Sequence, residues 1–242
     1  MPETNSRKLT LVFLAWFLFG LANHSTIVAQ STLVTIPSTD VVSDRKVYLE
    51  FDFISHYASH HDGGFQSYVP RAVVGVGHNL EVGVNVVSTD GFGVNQPIEV
   101  QPNIKWQFYQ NEKQRVSAAI GVMLYAPITH RTGTNTFVML YALVSKKLAG
   151  EFGPRLTGGA YALPGRVDGT GAKAGVMAGY EQPLASRVNF VMDWSSGRNR
   201  FGYVTPGLSF TTTRRSLLYT GYGIGNQGRG NNALFTYYGV TF

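Results

Sequence analysis

From Ile98 to Phe108 the chain reads Ile-Glu-Val-Gln-Pro-Asn-Ile-Lys-Trp-Gln-Phe, apolar at every even position and polar at every odd one. A period of two sends successive side chains to opposite faces of an extended strand; a helix would scatter them around its axis. The alternation recurs along the chain. Val47, Leu49, Phe51 and Phe53 oppose Tyr48, Glu50 and Asp52; Leu80, Val82, Val84 and Val86 oppose Glu81, Gly83 and Asn85; Val116, Ala118, Ile120, Val122 and Leu124 oppose Ser117, Ala119, Gly121 and Met123; Val188, Phe190, Met192 and Trp194 oppose Arg187, Asn189 and Asp193.

The pattern predicts strands at 47–55, 71–77, 80–86, 98–108, 115–125, 137–146, 151–161, 171–180, 185–194, 201–211, 216–224 and 233–242. In 137–146 and 216–224 alternation alone does not assign the faces. About 9–11 residues is the length that a tilted transmembrane strand needs, and an even strand number returns both chain ends to one side. Closure of the sheet matters in lipid, because an open edge would leave backbone donors and acceptors unsatisfied. The expected fold is therefore all-β, a transmembrane antiparallel β-barrel of about 12 strands. A secreted β-sandwich also alternates; the number of strands, the 15 Phe and 13 Tyr, and the terminal Phe242 favour the membrane barrel.

The connections fit the same picture. With a periplasmic N-terminus, loops at 57–68, 88–97, 126–136, 162–170, 195–200 and 225–232 lie outside the cell. Shorter turns near 78–79, 110–114, 147–150, 181–184 and 212–215 lie in the periplasm. Tyr57, Trp106, Phe108, Tyr109, Tyr125, Trp194, Phe201 and Tyr238, near strand ends, are candidates for the interfacial aromatic belts of such a barrel.

Before the strands, Arg7-Lys8 precedes an apolar stretch from Leu9 to Ala22, followed by a polar segment and Ile27-Val-Ala29. A basic start, an apolar centre and a small residue at the cut describe a signal peptide over residues 1–29. The apolar stretch, at about 1.5 Å per residue, reaches about 21 Å, short of a hydrocarbon core of about 30 Å. Residues 30–45 read as a polar periplasmic lead without a clear element, and 46–242 as the outer-membrane barrel.

With no Cys, disulfides, thiolate metal sites and cysteine nucleophiles are excluded. The formal charge of +6 is spread over separated pairs such as Lys146-Lys147 and Arg214-Arg215 rather than gathered into a patch, which argues against nucleic acid as a partner. Gly221-Tyr-Gly-Ile-Gly and the glycines of 153–159 lack the strand-to-helix setting of a nucleotide fingerprint, so no cofactor is expected. The expected partners are outer-membrane lipids, the barrel-assembly and periplasmic chaperone machinery and, within the bore, a small solute.

Parity places Glu50, Asp52, Arg71, Glu81, Glu99, Lys105, Arg155, Lys173, Arg187 and Asp193 as candidates to line the lumen. Mixed charges can line a hydrated path; they can equally pair and close it. Inward Gly75, Gly77, Gly83, Gly121, Gly159 and Gly175 either widen the bore or make room for aromatic rings.

The stretch Tyr48 to Phe108 resembles Gram-negative outer-membrane barrels grouped as transporters, including those named for a phenol-degradation pathway. Glu50-Phe-Asp-Phe, Gly63-Gly64-Phe65, Gly75-Val-Gly-His-Asn-Leu-Glu-Val-Gly83 and Lys105-Trp106 carry that resemblance. It implies passage of small molecules across the outer membrane and assigns no binding residue. The terminal Leu234-Phe-Thr-Tyr-Tyr-Gly-Val-Thr-Phe242 is similar to the C-terminal assembly signal of such proteins.

Three classes of function follow: a channel or transporter for small solutes, a structural envelope barrel without an open pore, and an outer-membrane lipid hydrolase. For the last, Ser55-His56 and Ser59-His60-His61-Asp62 supply serine and histidine, but not the phospholipase arrangement of His and Ser one residue apart and followed by Asn-Gly. The balance is against an enzyme. The cluster His56, His60, His61 and Asp62 also offers imidazole and carboxylate ligands of the kind zinc or copper takes, without visible ligand geometry. Loops of this size leave no large plug or passenger domain.

Overall fold

A computed structural model describes residues 31–91, 96–132, 134–150, 152–165, 171–228 and 232–242. The expected signal peptide and its cut after Ala29 lie outside them. The strands are β1 (Val47–His56), β2 (Phe65–Gly77), β3 (Leu80–Gly91), β4 (Glu99–Asn111), β5 (Val116–Pro127), β6 (Phe137–Lys147), β7 (Arg155–Ala162), β8 (Ala174–Ala185), β9 (Val188–Ser195), β10 (Tyr203–Thr213), β11 (Ser216–Gly225) and β12 (Ala233–Thr241). Each pairs antiparallel with its sequence neighbours, and β1 pairs with β12 from Tyr48 opposite Thr241 to Ser55 opposite Leu234. The sheet is a closed barrel with no free edge.

The bounds differ from the alternating runs where polar pairs extend a ladder. β2 begins at Phe65 rather than 71 and β3 runs on to Gly91, because Gln66 faces Asp90 and Ser67 faces Thr89, with their hydroxyls 2.7 Å apart. At one end the hairpins turn tightly. His78 and Asn79 both have positive φ, 52° and 56°, as a two-residue turn of the twist-matching type requires. Gly77, at φ 89°, makes the bulge before it. Longer connections occupy the other end, and both ends of the barrel sequence lie at the short-turn end.

Residues on the outer face are apolar and exposed: Leu49, Phe51, Val82, Val84, Ile104, Trp106, Ile120, Leu140, Val144, Val176, Trp194 and Ile224. Val82 is 41% and Val144 53% accessible. A continuous apolar surface of this extent suits hydrocarbon and not water. Among the described residues no helix is long and apolar enough to cross a membrane.

Two of the belt candidates are corrected. Tyr125 faces inward and is 5% accessible, because it continues the inward parity of Ser117, Ala119, Gly121 and Met123. Phe201 belongs to a connection that folds over the bore and packs against Tyr125, ring centroids 5.2 Å apart.

Candidate functional site

The supposed periplasmic lead is inside the barrel. Residues 31–42 form a small hairpin: Thr32 bridges Pro37, the Leu33 amide donates to the Ile36 carbonyl at 2.9 Å, and the Ser38 amide to the Ser31 carbonyl at 3.1 Å. The physical reason lies in its own residues. Leu33, Val34, Ile36 and Val42 carry apolar surface that a solvated lead would leave in water, and all four are buried.

Two kinds of contact hold the hairpin. On one side Leu33, Val34 and Ile36 join a cluster with Tyr141 and Leu143 of β6, Tyr161 of β7, Met177 of β8, Val191 of β9, Leu217 and Tyr219 of β11, and Phe235 and Tyr237 of β12. This explains why β6 and β11 resisted face assignment: both of their faces are apolar, one toward lipid and one toward the hairpin. The remaining contacts are directional. The Asp193 carboxylate accepts the amides of Val34 (2.9 Å), Thr35 (2.6 Å) and Ile36 (2.9 Å) and the Thr35 hydroxyl (2.9 Å). Glu81 accepts from the Ser31 hydroxyl at 2.5 Å and the Val42 amide at 2.7 Å. Lys105 donates to the Ser31 carbonyl at 2.9 Å, and Gln107 to the Thr39 carbonyl at 3.0 Å.

At the short-turn end Arg155 forks onto Asp40, with contacts of 2.5 and 2.8 Å, and touches Thr39, whose hydroxyl also meets Ser117 and Ser145. The chain then leaves over Gly75, where an added Cβ would stand 2.1 Å from the Ser43 carbonyl oxygen. A recess of about 470 Å³ opens beside this exit, lined by residues that include Asp40, Asp44, His78, Gln107 and Arg155.

The inward charges of the wall are paired mainly between neighbouring strands. Arg71 lies opposite Glu50 in the ladder and contacts it at 2.9 Å, with Asp52 at 3.5 Å; Tyr48 donates its hydroxyl to Glu50. Lys105 lies opposite Glu81 at 3.0 Å, both side chains only 1% accessible. Arg155 lies opposite Glu181 at 3.6 Å. Of the candidates from the sequence, Glu50, Asp52, Arg71, Glu81, Glu99, Lys105, Arg155 and Asp193 face this interior. Lys173 and Arg187 are corrected: Lys173 precedes β8 in a connection and Arg187 sits in the two-residue turn between β8 and β9, where both are exposed to solvent. Inward parity fails where the strand has ended.

Among the described residues, a single ion pair crosses the bore at the long-loop end. Residues 196–202 join β9 to β10 and carry Arg200 to Glu99 at the start of β4, half-way round the ring, with both nitrogen–oxygen contacts at 2.9 Å. The guanidinium also lies 5.2 to 5.7 Å from the ring centroids of Tyr125, Phe137 and Phe201. Tyr125 and Phe137 are stacked 4.6 Å apart at 6°.

Of the inward glycines singled out from the sequence, Gly121 and Gly175 make room for rings. A Cβ on Gly121 would stand 2.2 Å from the Tyr141 hydroxyl, one on Gly175 2.7 Å from the Tyr161 ring, and one on Gly223 2.4 Å from Phe235. Gly83 and Gly159 are similarly crowded by Val73 and Leu143, and Gly77 meets Asp44.

Sequence reasoning missed Asp40, Glu181, Arg200, Phe137 and the hairpin. The apolar residues of 33–42 were the available signal for the last; loop-borne Arg200 had none. In the first long loop, Ser59 donates its hydroxyl to Asp62 at 2.5 Å, and His56 is bonded to the Asn232 carbonyl and stacked on Phe65. Ser55 faces inward and neighbouring His56 does not share its face, so these two do not form a nucleophile–base pair. Among the described residues no three of His, Asp and Glu converge as metal ligands.

No known protein family and no curated protein matches the chain. Solved structures do. The chain resembles the KdgM porin with a TM-score of 0.51 at 10% identity, covering 81% of this chain and 98% of that one. It resembles an outer membrane channel from Pseudomonas putida F1 with a TM-score of 0.50 at 11% identity, covering 85% and 98%. The chain has the closed antiparallel barrel fold of these outer-membrane channels. At these identities the likeness concerns the fold; the interior described above belongs to this chain.

Proposed function

We propose that the protein is a bacterial outer-membrane channel or transporter barrel for small solutes, with residues 31–42 as a resident plug. The short turns face the periplasm and the long loops face outward. The observation that carries this reading is how the bore is filled. One continuous hairpin occupies it without contributing a strand to the barrel ladder, so it can leave while β1 to β12 keep all their partners. A barrel built only as a scaffold has no need of a filling separable from its wall.

The upper bore supports the same reading. Among the described residues, the buried hydroxyls of Ser55, Ser195 and Thr205 have no hydrogen-bond partner. Buried polar groups normally find one, and a bore that admits water or a polar solute would supply it. The alternative, a structural envelope barrel, draws on the extensive ion pairing of the wall.

Conductance in planar bilayers separates the two. Deleting residues 31–42 from the mature chain is expected to turn a quiet barrel into one with resolved channel openings. A deletion variant that still folds as a barrel, shown by heat-modifiable migration in gels, yet passes no current would favour the structural reading.

A further inference from the structure

We infer that the long-loop mouth holds a binding site for a small carboxylate with an apolar or aromatic body, and that Arg200 exchanges Glu99 for the solute's carboxylate. This deepens the transport reading and rests on it for its role.

The site already contains its template. Glu99 presents a carboxylate to the Arg200 fork through two parallel 2.9 Å contacts, the geometry by which arginine selects planar carboxylates. Neither partner depends wholly on the other. Glu99 also accepts from Gln101 at 2.6 Å, and Gln101 is itself held by Asn85 at 3.0 Å, so Glu99 keeps a donor when Arg200 leaves it.

The loop bearing Arg200 is held independently of Glu99. Asn199 donates to the Tyr161 hydroxyl at 2.8 Å and to the Ala172 carbonyl at 2.7 Å, and accepts the Phe201 amide at 2.9 Å. Asn226 donates to the carbonyls of Ser195 and Gly197 at 2.9 Å each. The guanidinium therefore stays presented at the mouth.

Access and lining point to the class of solute. The Arg200 side chain is 42% accessible while that of Glu99 is 10%: an arriving anion meets the cation first. Around the cation stand the rings of Tyr125, Phe137 and Phe201, 5.2 to 5.7 Å from it, with Phe201 part-exposed. A fully hydrated anion gains little from such rings, whereas a carboxylate on an apolar body gains from both the fork and the burial.

Titration calorimetry of the refolded barrel with sodium benzoate tests the exchange, with benzamide and acetate as comparisons. Benzoate is expected to bind saturably, and benzamide and acetate more weakly. Arg200→Gln should abolish the binding. Glu99→Gln removes the internal competitor and should tighten benzoate by about fivefold, the upper range for a partly exposed ion pair. A residue that merely props the loop would weaken binding when changed, not strengthen it.

Absence of saturable benzoate heat in both the unaltered barrel and Glu99→Gln would overturn the site, as would binding that survives Arg200→Gln. The two readings fail separately. Benzoate binding with no current through the deletion variant sinks transport and leaves the site, whereas current without benzoate binding does the reverse.

Discussion

The two walls of the lumen hold the same hairpin by different physics. The wall formed by β1 to β4 is lined by Glu50, Asp52, Arg71, Glu81, Asn85, Gln101 and Lys105, and its cations meet carboxylates on adjacent strands. The wall running from β5 through β7 and on to β11 and β12 is lined by Tyr125, Phe137, Tyr141, Leu143, Tyr161, Tyr219, Phe235 and Tyr237. The first satisfies most of its charge from within the sheet and would survive loss of the hairpin. The second is buried by the hairpin, by its own rings and, at the mouth, by Phe201 and Arg200, so an empty bore would wet the part that faces the hairpin. Apolar contact thus supplies an adaptable hold, and Asp193 and Arg155 fix the hairpin's position.

Disruption of the apolar side should have the largest effect. Leu33→Asp places a charge among Tyr and Leu side chains and removes a burial worth roughly 1.5–3 kcal/mol. It is expected to produce channel openings approaching those of the deletion variant, and a silent barrel would show that the polar side alone suffices. Next comes Asp193→Asn, which weakens hydrogen bonds to a charged acceptor, each worth roughly 1.5–3 kcal/mol. Hydrogen exchange at the Val34, Thr35 and Ile36 amides should accelerate about tenfold for each 1.4 kcal/mol lost. Glu50→Gln, on the self-paired wall, should leave those amides unchanged; equal acceleration in both variants would erase the distinction between the walls.

Smaller effects sharpen the role of the rings. Gly121→Ala forces Tyr141 to move, an overpacking expected to cost about 1–3 kcal/mol in urea unfolding. Gly158→Ala, whose added Cβ meets none of the described residues within 4 Å, should be close to neutral. If both were neutral, the ring over Gly121 would be loosely held, and the apolar wall less rigid than its packing implies.

Much of the barrel was legible because alternation is a local property. Ile98 to Phe108 declares its two faces without reference to any other strand, and the pairing of Glu81 with Lys105 follows once neighbouring strands are in register. β6 and β11 were not legible in this way. Their inward residues, such as Leu143 and Tyr219, are as apolar as their outward ones, and only an occupant of the bore explains that. Lys173 and Arg187 show the other limit, since parity carries no information beyond a strand's end.

The sequence by itself determined a closed cylinder of strands with lipid outside, because backbone hydrogen bonding in a membrane permits no open edge and period two sorts the side chains. Only the tertiary structure decided what fills the cylinder. Docking residues 31–42 against Asp193, and Arg200 against Glu99 across the ring, joins groups far apart in sequence, and such contacts exist only once the barrel has brought its walls together.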